Sequence, residues 1–174
     1  MIKKTALFIF TILFAASAFA GNKPVAKAPA AKLDTATFAT GCFWCTEAVF
    51  QRVRGVLRVE SGYSNGLLDT RPSYEQVCRG DTGFNEVVRV EYDRDVIGLR
   101  QLLDIFFDIH DPTSLNRQGA DVGTQYRSGI YWHDPAQVQV IESVMHDLQA
   151  QQWWPGKWVT ELEAVNNYHP AEDY

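Results

Sequence analysis

The sequence predicts an α/β (α+β) fold in which strands and helices alternate in the order β-α-β-β-α-β. Strands are indicated by two-residue alternation, which is cleanest over residues 86–92, where Val88, Val90 and Tyr92 face one way. Helices are indicated by apolar residues spaced three and four apart. We therefore predict a ferredoxin-like split βαβ sandwich, with a mixed or antiparallel sheet and helices on one face.

Each element has its own signal in the chain. Predicted strands cover residues 34–40, 56–63, 86–92, 128–132 and, further on, 158–162. Predicted helices cover residues 42–54, 74–78, 99–109 and 138–148. We expect the first helix to end at Gly55 and the third to stop at Pro112. The polar stretch 111–127 is longer than most connections, which suggests a function for it.

Composition excludes several classes of protein. The chain has 174 residues, of which 46% are hydrophobic and 21% charged, so disorder and coiled coil are excluded. The length allows one domain with at most an appendage. A formal net charge of −5, without a basic face, argues against a nucleic-acid partner.

The first 20 residues are typical of an export signal. Lys3 and Lys4 precede an apolar run that is too short to span a bilayer, and Ala18-Phe19-Ala20 offers a cleavage site. The alternative is an uncleaved anchor. We predict a signal peptide over residues 1–20, a linker over 21–33 and a folded domain over 34–174. The protein would then be periplasmic or secreted, not inserted in the membrane, and its thiols would pair or do redox work.

The strongest chemical signal is a cysteine at the point where the first strand turns into a helix. Cys42 follows Gly41, and exposed N–H groups with the positive end of the helix dipole favour a thiolate there. Cys45 comes three residues later, close enough to form a disulfide if the first turn distorts. The alternatives are a static disulfide or two unrelated thiols. Cys78 is predicted to be a small buried helix residue.

Other candidates allow two interpretations each. Phe43 and Trp44 either pack in the core or line an apolar pocket beside Cys42. Glu86 at a strand mouth is either a solvated charge or an acid whose pKa is raised by burial. Tyr74 and Tyr126 lie in or beside loops, where each either offers its hydroxyl to a site or only packs. The four histidines have no metal-ligand spacing with cysteine, so no metal site is expected: His110, His133, His146 and His169.

Several motifs resemble those of the A-type peptide-methionine sulfoxide reductases. They are GCFWCTEAVF, SGYSNG, PSYEQVCRGDTGFNEVVRVEYD, LLDIFFDIHDPTSLNRQGADVGTQYRSGIYW and YHPAEDY, in the family's order and covering about residues 37–174. The resemblance implies reduction of the S epimer of methionine sulfoxide, free or in oxidised proteins, on a ferredoxin-like α/β fold. It implies no bound cofactor and a thioredoxin-like dithiol protein as reductant. We expect a monomer.

The resemblance also implies roles for individual residues. Cys42 matches the catalytic cysteine, whose attack on the sulfoxide would leave a sulfenic acid. Phe43 and Trp44 match aromatics that hold the substrate's methyl group. The remaining matches surround the sulfoxide oxygen, Glu86 as its acid and the others as polar neighbours: Glu86, Tyr74, Tyr126 and Asp121.

The sequence departs from the family pattern in three places. Cys45 stands where many members have Gly, and members usually continue past Tyr174 into a tail that carries a resolving cysteine. We therefore expect Cys45 to resolve the sulfenic acid, with Cys78 as the spare candidate. Phe84-Asn85 replaces the usual His-Ala before Glu86, which could alter the edge of the pocket.

Two rival functions are compatible with the sequence. A C-x-x-C pair after a strand also suits a dithiol–disulfide oxidoreductase. A chain with a degenerate tail could instead bind oxidised methionine without turning it over. Insulin-type disulfide reduction and product formation would distinguish these functions from sulfoxide reduction.

Overall fold

A computed structural model of the chain describes residues 32–173, in which strands and helices alternate as predicted. In chain order the elements are β1 (Leu33–Thr40), α1 (Phe43–Phe50), β2 (Val56–Ser64), α2 (Tyr74–Cys78), β3 (Asn85–Asp93), α3 (Leu99–Asp108), β4 (Arg117–Gln118), β5 (Asp121–Val122), β6 (Ser128–Trp132), α4 (Pro135–Ala150), β7 (Glu161–Ala164) and β8 (His169–Pro170). The predicted signal peptide, and all but the last two residues of the predicted linker, lie outside the described residues.

Six strands form the main sheet, in the order β7-β6-β1-β3-β2-β8. All neighbours in it are antiparallel except β6 and β7, which run parallel. The four central strands come from two interleaved units, β1-α1-β2 and β3-α3-β6, so that β1 and β3 pair at the centre. The prediction of a ferredoxin-like split βαβ sandwich with a mixed sheet is confirmed.

The helices pack on one face of this sheet. Val88 and Val90 of β3 are fully buried there, in one cluster with residues of α1, α3 and α4. Val87 points to the opposite face, where it packs with Ala39 and Tyr131 beneath residues 165 and 168. Strand alternation thus sends successive residues of β3 to different environments.

Several elements differ from the predictions. Helix α1 ends at Phe50 and not near residue 54, because the N–H groups of Arg52 and Val53 bond to carbonyls three residues back and not four. Strand β7 begins at Glu161, three residues later than predicted. Strand β8 has only two residues, too few to show alternation, and was not predicted.

The polar stretch 111–127 is an ordered structure. It contains the β4–β5 hairpin and a short 3₁₀ helix over Thr124–Tyr126. The Gln118 side chain closes its base, with its amide donating to Asp111 O at 2.6 Å and its carbonyl accepting from Asp111 N–H at 3.1 Å. Within residues 32–173, no helix is both long and apolar enough to cross a bilayer.

Candidate active site

Cys42 lies at the junction of β1 and α1, as the sequence predicts, and a chain of hydroxyl groups holds it there. It is the N-cap residue of α1. Thr40 at the end of β1 shares a 2.6 Å hydrogen bond with Thr46, whose hydroxyl donates to Cys42 O at 3.1 Å. Gly41 adopts a φ of +97°, and a Cβ there would come within 2.7 Å of Gln118. The sequence analysis missed Thr40 and Thr46, although Thr46 stands one helical turn after Cys42.

The pKa of the Cys42 thiol is raised, not lowered as the helix start led us to expect. Burial is the main cause, because it disfavours the thiolate. The N–H groups of Cys45 and Trp44 lower the pKa, but the Cys45 thiol and the Glu86 carboxylate raise it further. The half-buried sulfur makes no cap hydrogen bond of normal geometry to the helix. The helix start therefore offsets only part of the cost of desolvation.

Glu86 is buried beside Cys42. It lies on β3 opposite Tyr63 of β2, its side chain is 1% exposed, and its Oε2 accepts the Phe43 N–H at 3.1 Å. Burial raises the pKa of Glu86 to about 7, with a smaller contribution from the Asp121 carboxylate, against the lowering effect of that N–H. Of the two interpretations of Glu86, the structure favours the acid with a raised pKa.

Of the two aromatic residues after Cys42, Phe43 packs in the core and Trp44 is exposed beside the site. Phe43 is 1% exposed and belongs to the core, with its ring 5.7 Å from that of Tyr63. Trp44 is 47% exposed, and its ring lies 5.3 Å from Phe43 and 5.5 Å from Tyr74. Phe43 thus backs an aromatic wall whose open face is formed by Trp44 and Tyr74.

The structure brings both predicted tyrosines and Asp121 to Glu86. Tyr74 begins α2, Tyr126 ends the 3₁₀ helix, and Asp121 begins β5. The pKa of Tyr126 is raised by burial first and then by the Glu86 carboxylate. The pKa of Tyr74 is raised mainly by a hydrogen bond to Cys78 and by burial, and further by Glu86 and Tyr126. Three separate segments therefore supply the side chains around one carboxyl.

All three cysteines are free thiols in the structure, and one prediction about them is wrong. Cys78 is exposed and not buried, because Val77 takes the buried position of α2. Its thiol is hydrogen-bonded to the Tyr74 hydroxyl, which is the main cause of the raised pKa of Tyr74. Cys45 is also exposed, on the first turn of α1.

The residues that replace the family's usual His-Ala leave Glu86 in place. Phe84 is buried, and Asn85 points to the other face of the sheet, where its amide donates to Arg127 O at 3.0 Å and to the Tyr131 hydroxyl at 2.9 Å. Asn85 thus changes the opposite face of β3, whereas Phe84 joins the buried cluster on the side that carries Glu86.

A groove of about 340 Å³ adjoins the site. It shares Trp44 with the aromatic wall and is also lined by Glu47, Ser61 and Glu172, whereas Cys42 lies outside its lining. Within the described residues, no three His, Cys, Asp or Glu side chains are placed to hold a metal ion together.

Taken together, this geometry pairs a thiol that can supply electrons with a carboxylic acid that can protonate an oxygen. The chemistry is that of a thiol-dependent reductase acting on an oxidised atom.

Comparison with known proteins identifies the family. The model of the family described as peptide methionine sulfoxide reductase matches residues 34–174. A peptide methionine sulfoxide reductase MsrA from Pasteurella multocida is 50% identical over 139 residues, which cover 80% of this chain and 78% of that protein. Mxr1 from Saccharomyces cerevisiae in reduced form matches with a TM-score of 0.76 and 40% identity, over 82% of this chain and 81% of that one. Mxr1 in complex with Trx2 matches with a TM-score of 0.59 and 29% identity, over 84% of this chain and 86% of that one.

The chain therefore belongs to the peptide methionine sulfoxide reductase family, as its motifs predicted. It is an oxidoreductase, and its reaction is the thiol-dependent reduction of methionine S-sulfoxide to methionine. Family membership therefore favours sulfoxide reduction over the two rival functions, which were general disulfide exchange and binding without turnover.

Proposed function

We propose that Cys42 and Glu86 carry out the sulfoxide reduction as a pair that holds one proton between them. The observation that supports this is the buried Glu86 carboxyl, bonded at 3.1 Å to the N–H of the residue after Cys42. A carboxyl with a pKa of about 7 is an efficient proton donor near neutrality. The thiol, whose pKa is raised, becomes reactive when the carboxylate takes its proton.

In the first step the Glu86 carboxyl donates its proton to the sulfoxide oxygen, and the Cys42 thiolate attacks the sulfoxide sulfur. The oxygen is transferred to Cys42 as a sulfenic acid, and methionine leaves with the electron pair. The atoms balance, because one thiol and one sulfoxide give one sulfenic acid and one thioether. Glu86 regains its proton from the Cys42 thiol of the next cycle.

The surrounding groups hold the substrate and its developing charge. When the substrate binds, the Tyr74 hydroxyl exchanges its Cys78 partner for the sulfoxide oxygen, and Tyr74 and Tyr126 both donate hydrogen bonds to that oxygen, as in an oxyanion hole. Asp121 helps to keep the pKa of Glu86 raised through its own charge. The aromatic wall, in which Trp44 is exposed and Phe43 lies buried behind it, receives the methyl group of the substrate.

Cys45 is the resolving thiol in this proposal. It is exposed and lies one helical turn from Cys42, where Cβ atoms are roughly 5–6 Å apart, and a modest distortion of that turn brings them to disulfide distance. Attack of Cys45 on the sulfenic acid gives a disulfide and water. Cys78, whose thiol is hydrogen-bonded to the Tyr74 hydroxyl, is the alternative resolving cysteine.

A thioredoxin-like dithiol protein then reduces the disulfide, leaving both cysteines as thiols and its own pair oxidised. The match to Mxr1 in complex with Trx2 supports this choice of reductant. We further propose that the protein acts as a monomer on oxidised proteins or free methionine sulfoxide, with no bound cofactor. We also propose that it is exported, on the evidence of residues 1–20.

Substituting Glu86 with Gln tests the proton-sharing pair. We expect the single-turnover rate to fall by roughly 10²–10⁴-fold, the usual contribution of a general acid. The active form of the pair carries one proton. As the pH increases, the wild-type rate should therefore rise through about pH 7, where the pair loses its first proton from Glu86, and fall only above the ordinary thiol pKa of 9, where it loses the second. In Glu86→Gln, the rise of the rate near pH 7 should be absent from the pH–rate profile. Glu91→Gln, a variant on the same strand but on the opposite face, should retain both limbs; an unchanged rate in Glu86→Gln contradicts the proposal.

Substituting Cys45 with Ser tests the resolving step. With a thioredoxin system as reductant, we expect one methionine per protein molecule and then a stall, with Cys42 present as a sulfenic acid that dimedone captures. Cys78→Ser should continue to cycle. Peptide mass spectrometry assigns the modified cysteine. Continued cycling of Cys45→Ser together with a stall of Cys78→Ser would transfer the role to Cys78.

The mature N-terminus tests the proposed export. A cleaved signal predicts that protein recovered outside the cytoplasm begins at Gly21, as N-terminal sequencing would show. A matched chain that starts at Gly21 after an initiating Met should remain inside the cell. Recovery of the full chain with Met1 in the cytoplasm would refute export.

A further inference from the structure

The structure assigns a positioning role to Glu172, whose carboxylate fastens Tyr74 and Tyr63 to the same point behind the aromatic wall. Its Oε1 accepts the Tyr74 N–H at 2.9 Å, and its Oε2 accepts the Tyr63 hydroxyl at 2.9 Å. This role rests on the proposed function, because it acts through the hydroxyl that Tyr74 offers to the sulfoxide oxygen. The YHPAEDY motif contains Glu172, but the sequence analysis gave this residue no role.

The Tyr74 N–H is a group that helix α2 cannot satisfy by itself. Ser73 and Gln76 form a capping box, which satisfies the N–H groups of these two residues. The N–H of Tyr74, the first residue of the helix, is outside that box. Glu172 accepts it and so fixes the backbone from which the Tyr74 ring extends.

The second bond ties the same carboxylate to the strand that faces Glu86. Tyr63 is fully buried and lies opposite Glu86 in the β2–β3 register. Its ring contacts Phe43, which in turn stacks on Tyr74 with ring centroids 6.3 Å apart and planes 15° apart. Glu172 therefore joins Tyr74 to the group of rings that surrounds the Glu86 carboxyl.

The chain delivers Glu172 to this place through strand β8. His169 and Pro170 pair with β2, and the Ala171 N–H donates to Ser61 O at 2.9 Å, so the backbone is pinned up to the residue before Glu172. Burial by itself would raise the pKa of Glu172, but hydrogen bonds from Tyr74, its own N–H and Tyr63 lower it overall. The side chain is thus a carboxylate near neutrality, and both of its oxygens act as hydrogen-bond acceptors.

Substitution of Glu172 with Ala or with Met, which keeps the length but removes both acceptors, tests this role. We expect kcat to fall about tenfold, as the loss of a charge-assisted hydrogen bond predicts, with KM changed less than kcat. Glu172→Gln keeps an oxygen for the Tyr74 N–H and should restore most of the activity. Asp173→Asn, the neighbouring change in the same segment, should leave kcat and KM as in the wild type.

Two measurements separate positioning from a general loss of structure. In the Tyr74→Phe background, Glu172→Met should lower kcat little further, because the hydroxyl that Glu172 positions is already absent. Hydrogen exchange of the Tyr74 amide should quicken about tenfold in Glu172→Met and stay slow in Glu172→Gln.

Three results would overturn the inference. The first is an equal tenfold loss from Glu172→Met with and without the Tyr74 hydroxyl, which indicates a role elsewhere. The second is an unchanged exchange rate of the Tyr74 amide in Glu172→Met. The third is a fully active Tyr74→Phe protein, which would refute the role of Tyr74 in the proposed function and leave Glu172 with no reacting group to position.

Discussion

The site depends on one buried contact, in which the first N–H of helix α1 points at the Glu86 carboxyl. That N–H belongs to Phe43, directly after the nucleophile, so the contact sets the distance between thiol and acid. A carboxyl that is 1% exposed would be costly as an anion, and one hydrogen bond offsets only part of that cost. The protein therefore keeps a proton donor at the floor of an aromatic pocket near neutral pH.

The same burial that makes Glu86 an acid also keeps Cys42 from being a free thiolate. Each negative charge disfavours the other, so one proton shared between them is the favoured state of the pair. A thiol held in this state is protected from indiscriminate reaction, and a sulfoxide oxygen that accepts the proton releases the nucleophile. The hydroxyl chain through Thr40 and Thr46 supports this arrangement, because it fixes the turn that carries the sulfur.

Periodicity predicted most of the fold, and the resemblance to the family named the residues that lie around Glu86. The alternation around Val88 and Val90 identified the strand that carries Glu86, because burial on one face leaves a two-residue pattern. The sign of the Cys42 pKa shift was missed, since it is a balance between desolvation and N–H groups that only coordinates reveal. The exposure of Cys78 was missed for a similar reason: in a helix of five residues, the neighbour Val77 decides which side is buried.

Titration of the Glu86 carboxyl carbon by NMR, in substrate-free protein labelled at glutamate Cδ, tests the central claim most directly. The signal is assigned by its absence from Glu86→Gln. Our account predicts a midpoint near pH 7, well above the ordinary glutamate value of 4.5. A midpoint at or below the ordinary value would show that the carboxyl is an anion at neutral pH, and the proton-sharing pair would then be contradicted.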